Sequence, residues 1–454
     1  MNSVATGEQQ SALLPLTYQQ LFFWKYFNIE AGGHRLDTFV LRIIGPLNVD
    51  VLRRCFDQVV GAHDSLRARV VVVDGVPRWR PDQPSVFDLH VTSLVNEEES
   101  QRELLAAKLI EEFSLRRCDL AVGPVFEVQL IRLSDTVHLL AWAIHHLVSD
   151  AVSVKLLFSE VWTLYAASPP ESQRPRKVTP PQYGDYAKWQ RATDLEWESM
   201  HRAHWERRLA AATSLQWPSA NGDAMVVADE TVAVEIEIPA AARADLRRVA
   251  QRARTTVAMV VAALYVVVAA DWCKQRRFTL PMNFAGRHRA EHEYIIGYFA
   301  QLLYLDIRLA TNETFLEIAS KIGSEFSQAV QHQDFGRVAL QAPHVLAGAL
   351  FSWSPPLEKL SVPPASLAAD CGLAIEQVPF KQHPNGSLDL QGIGITFYEA
   401  EGTFWGRAWC RRGIYAQGEV ARFVADFLHV ATEVATNPAQ QMSHIFEQRR
   451  EMLA

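Results

Sequence analysis

The stretch Val137-His-Leu-Leu-Ala-Trp-Ala-Ile-His145-His146-Leu-Val-Ser-Asp150-Ala-Val-Ser153 decides how the rest of the chain is read. Its first part is nearly all apolar, the pattern of a strand inside a sheet covered on both faces. The run then meets two adjacent histidines. Asp150, a good helix N-cap, stands before a helical stretch over 153–167. A buried strand that ends where a helix begins gives an imidazole a fixed backbone and an opening to a cavity. The helix start adds N–H groups and positive potential, which suit a developing oxyanion. Three uses of the histidine pair stand open at this point: two satisfied polar residues, half of a metal site, or catalysis. No third ligand stands nearby at a suitable spacing, so no metal is expected. Neighbouring side chains at a strand end point to opposite faces, so His145 and His146 are expected to do different jobs.

Working outward, 125–133 reads as a strand paired with 137–144 around Ser134-Asp135. Upstream come a helix over 16–26, a strand over 36–44 closed by Gly45-Pro46, and a helix over 49–61 with Val49, Leu52, Phe56, Val59 and Val60 on one face. A β-branched run over 66–73 leads into the hairpin turn Asp74-Gly75, and 98–113 is helical. The five prolines within 168–181 mark a linker. Beyond it lie a Trp-rich helix over 183–209, a strand over 231–238, and a helix from 240 into the apolar run 257–270. Strands are expected over 278–283, 302–308, 346–353 and 392–397, and a last helix over 419–435. Both halves mix helices and strands, so the expected fold class is α/β in two lobes, 1–175 and 176–454.

A chain of 454 residues is too long for one ordinary core. Apolar residues make up 49% and charged residues 21%, the balance of a folded soluble protein. The net charge of −7 argues against nucleic-acid binding, which needs clustered Lys and Arg. Cys55, Cys118, Cys273, Cys371 and Cys410 are scattered, with no C-x-x-C pair. An odd number of cysteines and no signal-peptide pattern point to reduced thiols and a cytoplasmic protein. The run 257–270 is shorter than the ~20 residues a membrane span needs, so no membrane anchor is expected.

Six segments together carry a family resemblance. His145-His146-Leu-Val-Ser-Asp150-Ala151 resembles the HHxxxDG signature of the condensation domains of nonribosomal peptide synthesis. Leu14-Pro-Leu-Thr-Tyr-Gln-Gln-Leu-Phe-Phe-Trp24 resembles their opening motif, and Ala62-His-Asp-Ser-Leu-Arg67-Ala-Arg-Val70 is similar to their RHExLRTxF segment. Tyr183-Gly-Asp-Tyr-Ala-Lys-Trp189 resembles YxDYAxW, Ile296-Gly-Tyr-Phe-Ala-Gln301 resembles IGxFVNT, and His332-Gln-Asp334 falls where the family has HQD. Each motif is weak alone; their order along the chain makes the resemblance specific.

The resemblance implies two chloramphenicol-acetyltransferase-like lobes in a V-shaped pseudo-dimer around a central tunnel. A floor loop near 281–292 and a latch near 379–390 would come from the second lobe. It implies a free-standing acyltransferase that joins a thioester, delivered on the phosphopantetheine arm of an acyl or peptidyl carrier protein, to an amine or hydroxyl. The acceptor would be a small molecule or itself carrier-bound. No bound cofactor, nucleic acid or membrane is implied, and the protein would be a monomer. His146 would be the catalytic histidine, as proton acceptor or as the group that holds the nucleophile. His145, Asp150 and Arg67 would support it, with Asp150 and Arg67 forming a buried ion pair. Ala151, Ser149, Gln301, Ser352 and Trp353 are candidates for the acceptor side of the tunnel. Tyr183, Asp185 and Trp189 are expected to pack and cap.

Ala151 stands where the family has glycine, Gln301 where it has asparagine, and Ala62 where it has arginine. The added methyl of Ala151 would narrow the acceptor side. Gly32-Gly33-His34 lacks the serine of a carrier site, and Gly392-Ile-Gly394 lacks the third glycine of a dinucleotide loop. A recruitment module without turnover and a coenzyme A-dependent acyltransferase are the competing functions.

Overall fold

In the computed structural model, which describes residues 13–26, 34–82, 86–167, 180–218, 231–333, 340, 345, 348–355, 360–379, 390–400 and 402–442, the run Val137–Ile144 is the middle strand of a five-stranded sheet. The chain up to Thr193 builds β1 (Leu14–Pro15), α1 (Tyr18–Tyr26), β2 (His34–Arg35), β3 (Asp37–Ile44), α2 (Val49–Ala62), β4 (Ala68–Val73), β5 (Val76–Pro81), β6 (His90–Ser93), α3 (Glu99–Ser114), β7 (Arg117–Cys118), β8 (Phe126–Arg132), β9 (Val137–Ile144), α4 (Ala151–Ala167) and α5 (Tyr183–Ala192). The rest builds α6 (Asp194–Ala210), β10 (Thr231–Ile236), α7 (Ala240–Arg252), α8 (Val257–Cys273), β11 (Arg277–Phe284), β12 (Gln301–Arg308), α9 (Phe315–Gln331), β13 (Phe351–Ser354), α10 (Ala365–Asp370), β14 (Ala374–Val378), β15 (Gly394–Ala400), β16 (Thr403–Arg411) and α11 (Gln417–Thr436).

The chain divides into two units, one of Met1–Thr193, Arg287–Phe299 and Pro355–Asn385, the other of Asp194–Gly286, Ala300–Ser354 and Gly386–Ala454. The first unit therefore runs past the division expected after residue 175 and takes back two later segments. The reason is local. Asp64 caps α5 by accepting from the N–H groups of Tyr183 (3.1 Å) and Gly184 (3.0 Å), which holds that helix to the first core. The second segment supplies β14, which pairs antiparallel with β3.

The sheet of the first unit has the order β14-β3-β9-β8-β6. β9 is buried along nearly all of its length because α2 and α4 pack together over one face and α3 lies on the other. α2 shows why its sequence is helical: Asn48 caps it by accepting from the Val51 N–H, and Val51, Leu52, Cys55, Phe56, Val59 and Val60 form its buried stripe. Asp74 and Gly75 both take positive φ, 51° and 74°, and join β4 to β5 as a tight hairpin.

The second unit holds a six-stranded sheet of order β10-β16-β15-β13-β11-β12, mixed because β13 runs parallel to both neighbours. α8 is buried from Met259 to Ala270, as expected of a helix apolar all round. The single helices expected over 183–209 and from 240 to 270 are each broken. The second break follows from Thr256, whose side chain accepts from the Met259 N–H and starts a new helix. No single helix among the described residues is long and apolar enough to cross a membrane.

Of the expected floor loop, 281–284 belongs to β11 and 287–292 to the first unit. Residues 380–389 of the expected latch, Gly32-Gly33 and Asp334 lie outside the described residues.

Candidate active site

The ladder between β8 and β9 continues one step past Ile144, where the His145 N–H donates to the Val125 carbonyl (2.8 Å). Beyond it the chain closes into a 3-10 turn over His146–Val148. The His145 ring is fully buried, and its Nδ1 accepts from the Leu147 N–H (3.0 Å), which leaves the ring proton on Nε2. Ser149 is buried too, and its hydroxyl donates to the His145 carbonyl (3.3 Å).

A second tie reaches the turn from α1. Thr17 and Gln20 form a reciprocal cap: the Gln20 N–H donates to Thr17 Oγ1 and the Thr17 N–H donates to Gln20 Oε1, each at 3.1 Å. The other end of the same amide, Gln20 Nε2, donates to the Leu147 carbonyl (3.0 Å). The His146 side chain, in contrast, is 36% exposed. It lies against the rings of Phe23 (5.5 Å between centroids) and Tyr298 (5.2 Å), with Nδ1 4.0 Å from Asp37 Oδ2. The two histidines thus have different surroundings: His145 is built into the turn and His146 is accessible.

Asp150 caps α4, its Oδ1 accepting from the Ser153 N–H (2.8 Å). That N–H is accordingly occupied and is not offered to an oxyanion. Oδ2 accepts from the Phe299 N–H (3.0 Å), and Arg287 Nη2 donates to Oδ1 (3.0 Å) and Oδ2 (3.2 Å). The Ser153 hydroxyl donates to the Gly297 carbonyl (2.6 Å) and accepts from the Gly297 N–H (3.0 Å) and from Arg287 Nη2 (2.9 Å). Gly297 must be glycine here, because a Cβ would fall 2.0 Å from the Tyr183 ring. Tyr183 in turn donates its phenol proton to the Tyr298 carbonyl (2.7 Å) and accepts from Thr17 Oγ1 (3.0 Å). Burial pushes the Tyr183 and Tyr298 phenols well above their ordinary range.

The partner of Asp150 is therefore Arg287, and the expected pair with Arg67 is corrected. Arg67 is only partly buried, and it donates to two backbone carbonyls, Val60 (from Nε, 3.1 Å) and Asp82 (from Nη1). The carboxylates near it are Asp64 and Asp82. Arg67 thus ties the end of α2 to the end of β5. Tyr183 is buried and Asp185 makes a surface pair with Lys188 (3.3 Å). Trp189 carries the guanidinium of Arg289 over its ring (4.9 Å).

The sequence profile of the family described as Condensation domain matches residues 10–451. The chain belongs to the condensation-domain family. It is 26% identical over 329 residues to surfactin synthase subunit 1 of Bacillus subtilis (strain 168), a match that takes in 72% of this chain and 9% of that protein. The chain therefore spans under a tenth of the length of that relative. Among solved structures it is similar to the SgcC5 protein of Streptomyces globisporus, with a TM-score of 0.74 and 20% identity over 94% of this chain and 100% of the other. It is similar also to the condensation domain of the monacolin K polyketide synthase MokA, with a TM-score of 0.78 and 16% identity over 97% and 100%. Those two likenesses are of fold. Condensation domains are amide-forming acyltransferases of nonribosomal peptide synthesis and use substrates carried on phosphopantetheine.

In this condensation domain Ala151 is the first residue of α4, half-buried, and does not take a positive φ. Gln301, Ser352 and Trp353 belong to the second unit. Gln301 opens β12 opposite Phe284. The Ser352 hydroxyl accepts from Asn283 Nδ2 (2.6 Å), and Trp353 Nε1 donates to Glu399 Oε2 (3.1 Å). Four residues of the site were not anticipated: Gln20, Asp37, Tyr298 and Arg287. Thr17-x-x-Gln20 is a capping-box signature and could have revealed the first; no spacing pointed to the others.

Proposed function

We propose that this condensation domain joins an acyl or aminoacyl thioester, presented by a carrier protein on its phosphopantetheine arm, to an amine or hydroxyl acceptor, with His146 as the catalytic group. What supports this is the contrast within one turn. His146 is accessible, while the backbone that carries it is held by His145, by Gln20 and, through α4, by the Asp150–Arg287 pair. A positioned imidazole of this kind can take a proton near neutral pH.

The acceptor nitrogen or oxygen attacks the thioester carbonyl carbon and gives its proton to His146 as the new bond forms. The tetrahedral intermediate then collapses, the carbon–sulfur bond breaks, and the departing thiolate takes the proton back from His146. The product is an amide or an ester, and the histidine ends neutral. Asp150, Arg287, His145 and Arg67 act through structure. Ala151 contributes to the shape of the acceptor side.

The test follows carrier proteins by intact mass. Carriers loaded with acyl-phosphopantetheine are incubated with the domain and paired amine and alcohol acceptors, alongside the matching acyl-coenzyme A. Loss of acyl from the carrier with formation of the coupled product is expected. Turnover of the coenzyme A thioester alone would assign a coenzyme A-dependent acyltransferase, and carrier binding without turnover would assign a recruitment module.

A further inference from the structure

Three rings meet at the His146 turn. The His146 ring lies 5.5 Å from Phe23 and 5.2 Å from Tyr298 between centroids, and Phe23 lies 5.6 Å from Tyr298. Phe23 is buried, while His146 and Tyr298 both keep part of their surface open. The histidine and the tyrosine are thus accessible neighbours within one unit.

The backbone of Tyr298 is pinned on both sides. The Gly297 N–H donates to Ser153 Oγ (3.0 Å), the Phe299 N–H donates to Asp150 Oδ2 (3.0 Å), and the Tyr298 carbonyl accepts from the Tyr183 phenol (2.7 Å). Its hydroxyl, in contrast, makes no hydrogen bond among the described residues, and its oxygen is not sealed from solvent. A polar group held beside an accessible imidazole with its bonding capacity unspent is available to a ligand.

Acyl transfer at His146 creates a need that this hydroxyl fits. When the nucleophile attacks the thioester carbonyl carbon, the π pair of the C=O bond moves onto oxygen, and the oxyanion calls for a fixed donor. The nearby backbone offers little. The Leu147 N–H is taken by His145 Nδ1, the Val148 and Ser149 N–H groups by the carbonyls of His145 and His146, and the Ser153 N–H by Asp150. Burial also holds the Tyr298 phenol well above its ordinary range, so it keeps its proton and stays a donor near neutral pH.

We propose that the Tyr298 hydroxyl is a second catalytic group of this domain, the donor that binds the oxyanion of the tetrahedral intermediate. It gives a hydrogen bond and transfers no proton. As the carbon–sulfur bond breaks, the oxyanion pair re-forms the C=O bond, the thiolate leaves with the proton held by His146, and the Tyr298 hydroxyl is released unchanged. This role rests on the acyl-transfer reading of His146.

Tyr298→Phe removes one oxygen and keeps the ring against Phe23 and His146. The hydroxyl bonds nothing in the described fold, so the melting temperature is expected to stay the same. With an acyl-carrier donor and an amine acceptor, kcat is expected to fall about 10²–10³-fold with KM little changed. A second measurement needs no turnover. Calorimetry follows binding of two pantetheine analogues of the donor, one with a charged tetrahedral phosphonate in place of the thioester, the other with a neutral planar ketone. Tyr298→Phe is expected to lower the phosphonate-to-ketone affinity ratio by about tenfold or more, as for one hydrogen bond to a charged group. Equal kcat in the two proteins, or the same affinity ratio in both, would overturn the role of Tyr298 and leave that of His146 standing. If the unsubstituted protein transfers no acyl group, the reading of His146 fails, and the affinity ratio decides Tyr298 by itself: a fall keeps it as the oxyanion donor of the site, and an unchanged ratio removes it.

Discussion

Arg287 Nη2 donates to both carboxylate oxygens of Asp150, at 3.0 and 3.2 Å, with both side chains almost wholly buried. The same guanidinium donates through Nη1 to the carbonyls of His292 (2.7 Å) and Ile295 (2.8 Å) and lies 4.1 Å over the Phe299 ring. One ion pair thus fixes the start of α4, just after the His146 turn, and folds the segment Arg287–Phe299 onto the first unit. That segment carries Tyr298, which packs on His146.

Removing either partner leaves an uncompensated buried charge, at a cost of about 3–5 kcal/mol. Arg287→Ala and Asp150→Ala are therefore expected to lose much of the stability of the first unit. Arg67→Ala leaves two carbonyls without their donor, at about 1–3 kcal/mol for such a group, and breaks no direct ion pair among the described residues. Thermal unfolding should rank Arg287→Ala below Arg67→Ala. The reverse order would show that Arg67 is the main anchor after all.

His146→Ala is expected to lower acyl transfer by about 10²–10⁴ with little change in melting temperature, because an accessible acid–base group contributes to rate and little to packing. His145→Ala should do both kinds of damage, since it removes the acceptor for the Leu147 N–H inside the core. Turnover and melting curves on the two variants separate the roles. Near-normal turnover in His146→Ala would remove it from the reaction.

Gln20 makes three bonds with one side chain and its own N–H, and one of them holds the Leu147 carbonyl. Thr17→Ala removes the cap, at about 1 kcal/mol, and keeps the tie to Leu147. Gln20→Leu removes the tie to Leu147 and the acceptor of the Thr17 N–H, while its own N–H still meets Thr17 Oγ1. A displacement of about 1 Å at a reacting group can cost ~10² in rate. The expected result is therefore a lower kcat in Gln20→Leu than in Thr17→Ala, with KM less affected. Equal kcat values would mean that this tie does not position His146.

Part of this was legible in the residues. The apolar run 137–144 and the Asp74-Gly75 turn specify strand and hairpin locally, and β9 and the β4–β5 turn fall where expected. Strand alternation points to different surroundings for His145 and His146, but the difference arises because His145 extends the ladder by one step and His146 opens the 3-10 turn. The Arg67–Asp150 expectation failed because a buried carboxylate needs a cation, and nothing local names which one. Arg287 lies 137 residues from Asp150 and reaches it through tertiary packing. The site residue Gln20 was hidden for a different reason: its role as cap is local, but its second bond, to Leu147, is not. The helix α9 carried a readable signal, the Thr314-x-x-Glu317 capping box, in a stretch between the strands expected over 302–308 and 346–353 to which no element was assigned.

Stability should fall with acid through two histidines. Burial, and then the nearby His288 and Arg289, lower His292 from 6.5 to about 4; its ring sits among those of Tyr186 (4.7 Å), Trp189 (4.9 Å) and Phe299 (5.6 Å). Burial, and then His332 and Arg208, lower His204 of the second unit to about 4 as well. A folded-state value below the unfolded one means the contribution is complete above about 6.5 and is lost as pH falls toward about 4. Melting temperature is expected to drop across that window. His292→Phe should make the drop shallower, and an unchanged slope would show that His292 does not contribute.

Ala151→Gly is expected to change acceptor use more than donor use. Where the family has glycine, two causes could require it: an unusual backbone or close approach of a substrate. Ala151 takes no positive φ, so the first cause does not apply here. The half-buried methyl at the first position of α4 then acts by filling space next to the turn of His146. A methyl-sized change in a pocket is worth about 1–3 kcal/mol in discrimination, or ~10–200-fold. The glycine variant should therefore take bulkier nucleophiles while using the same carrier-bound donor at the same rate. The measurement is a competition between a small and a bulky acceptor against one donor, for both proteins, with melting curves to show that the cap by Asp150 survives. Identical acceptor ratios would mean that the methyl does not touch the acceptor path and that alanine and glycine are interchangeable at this position.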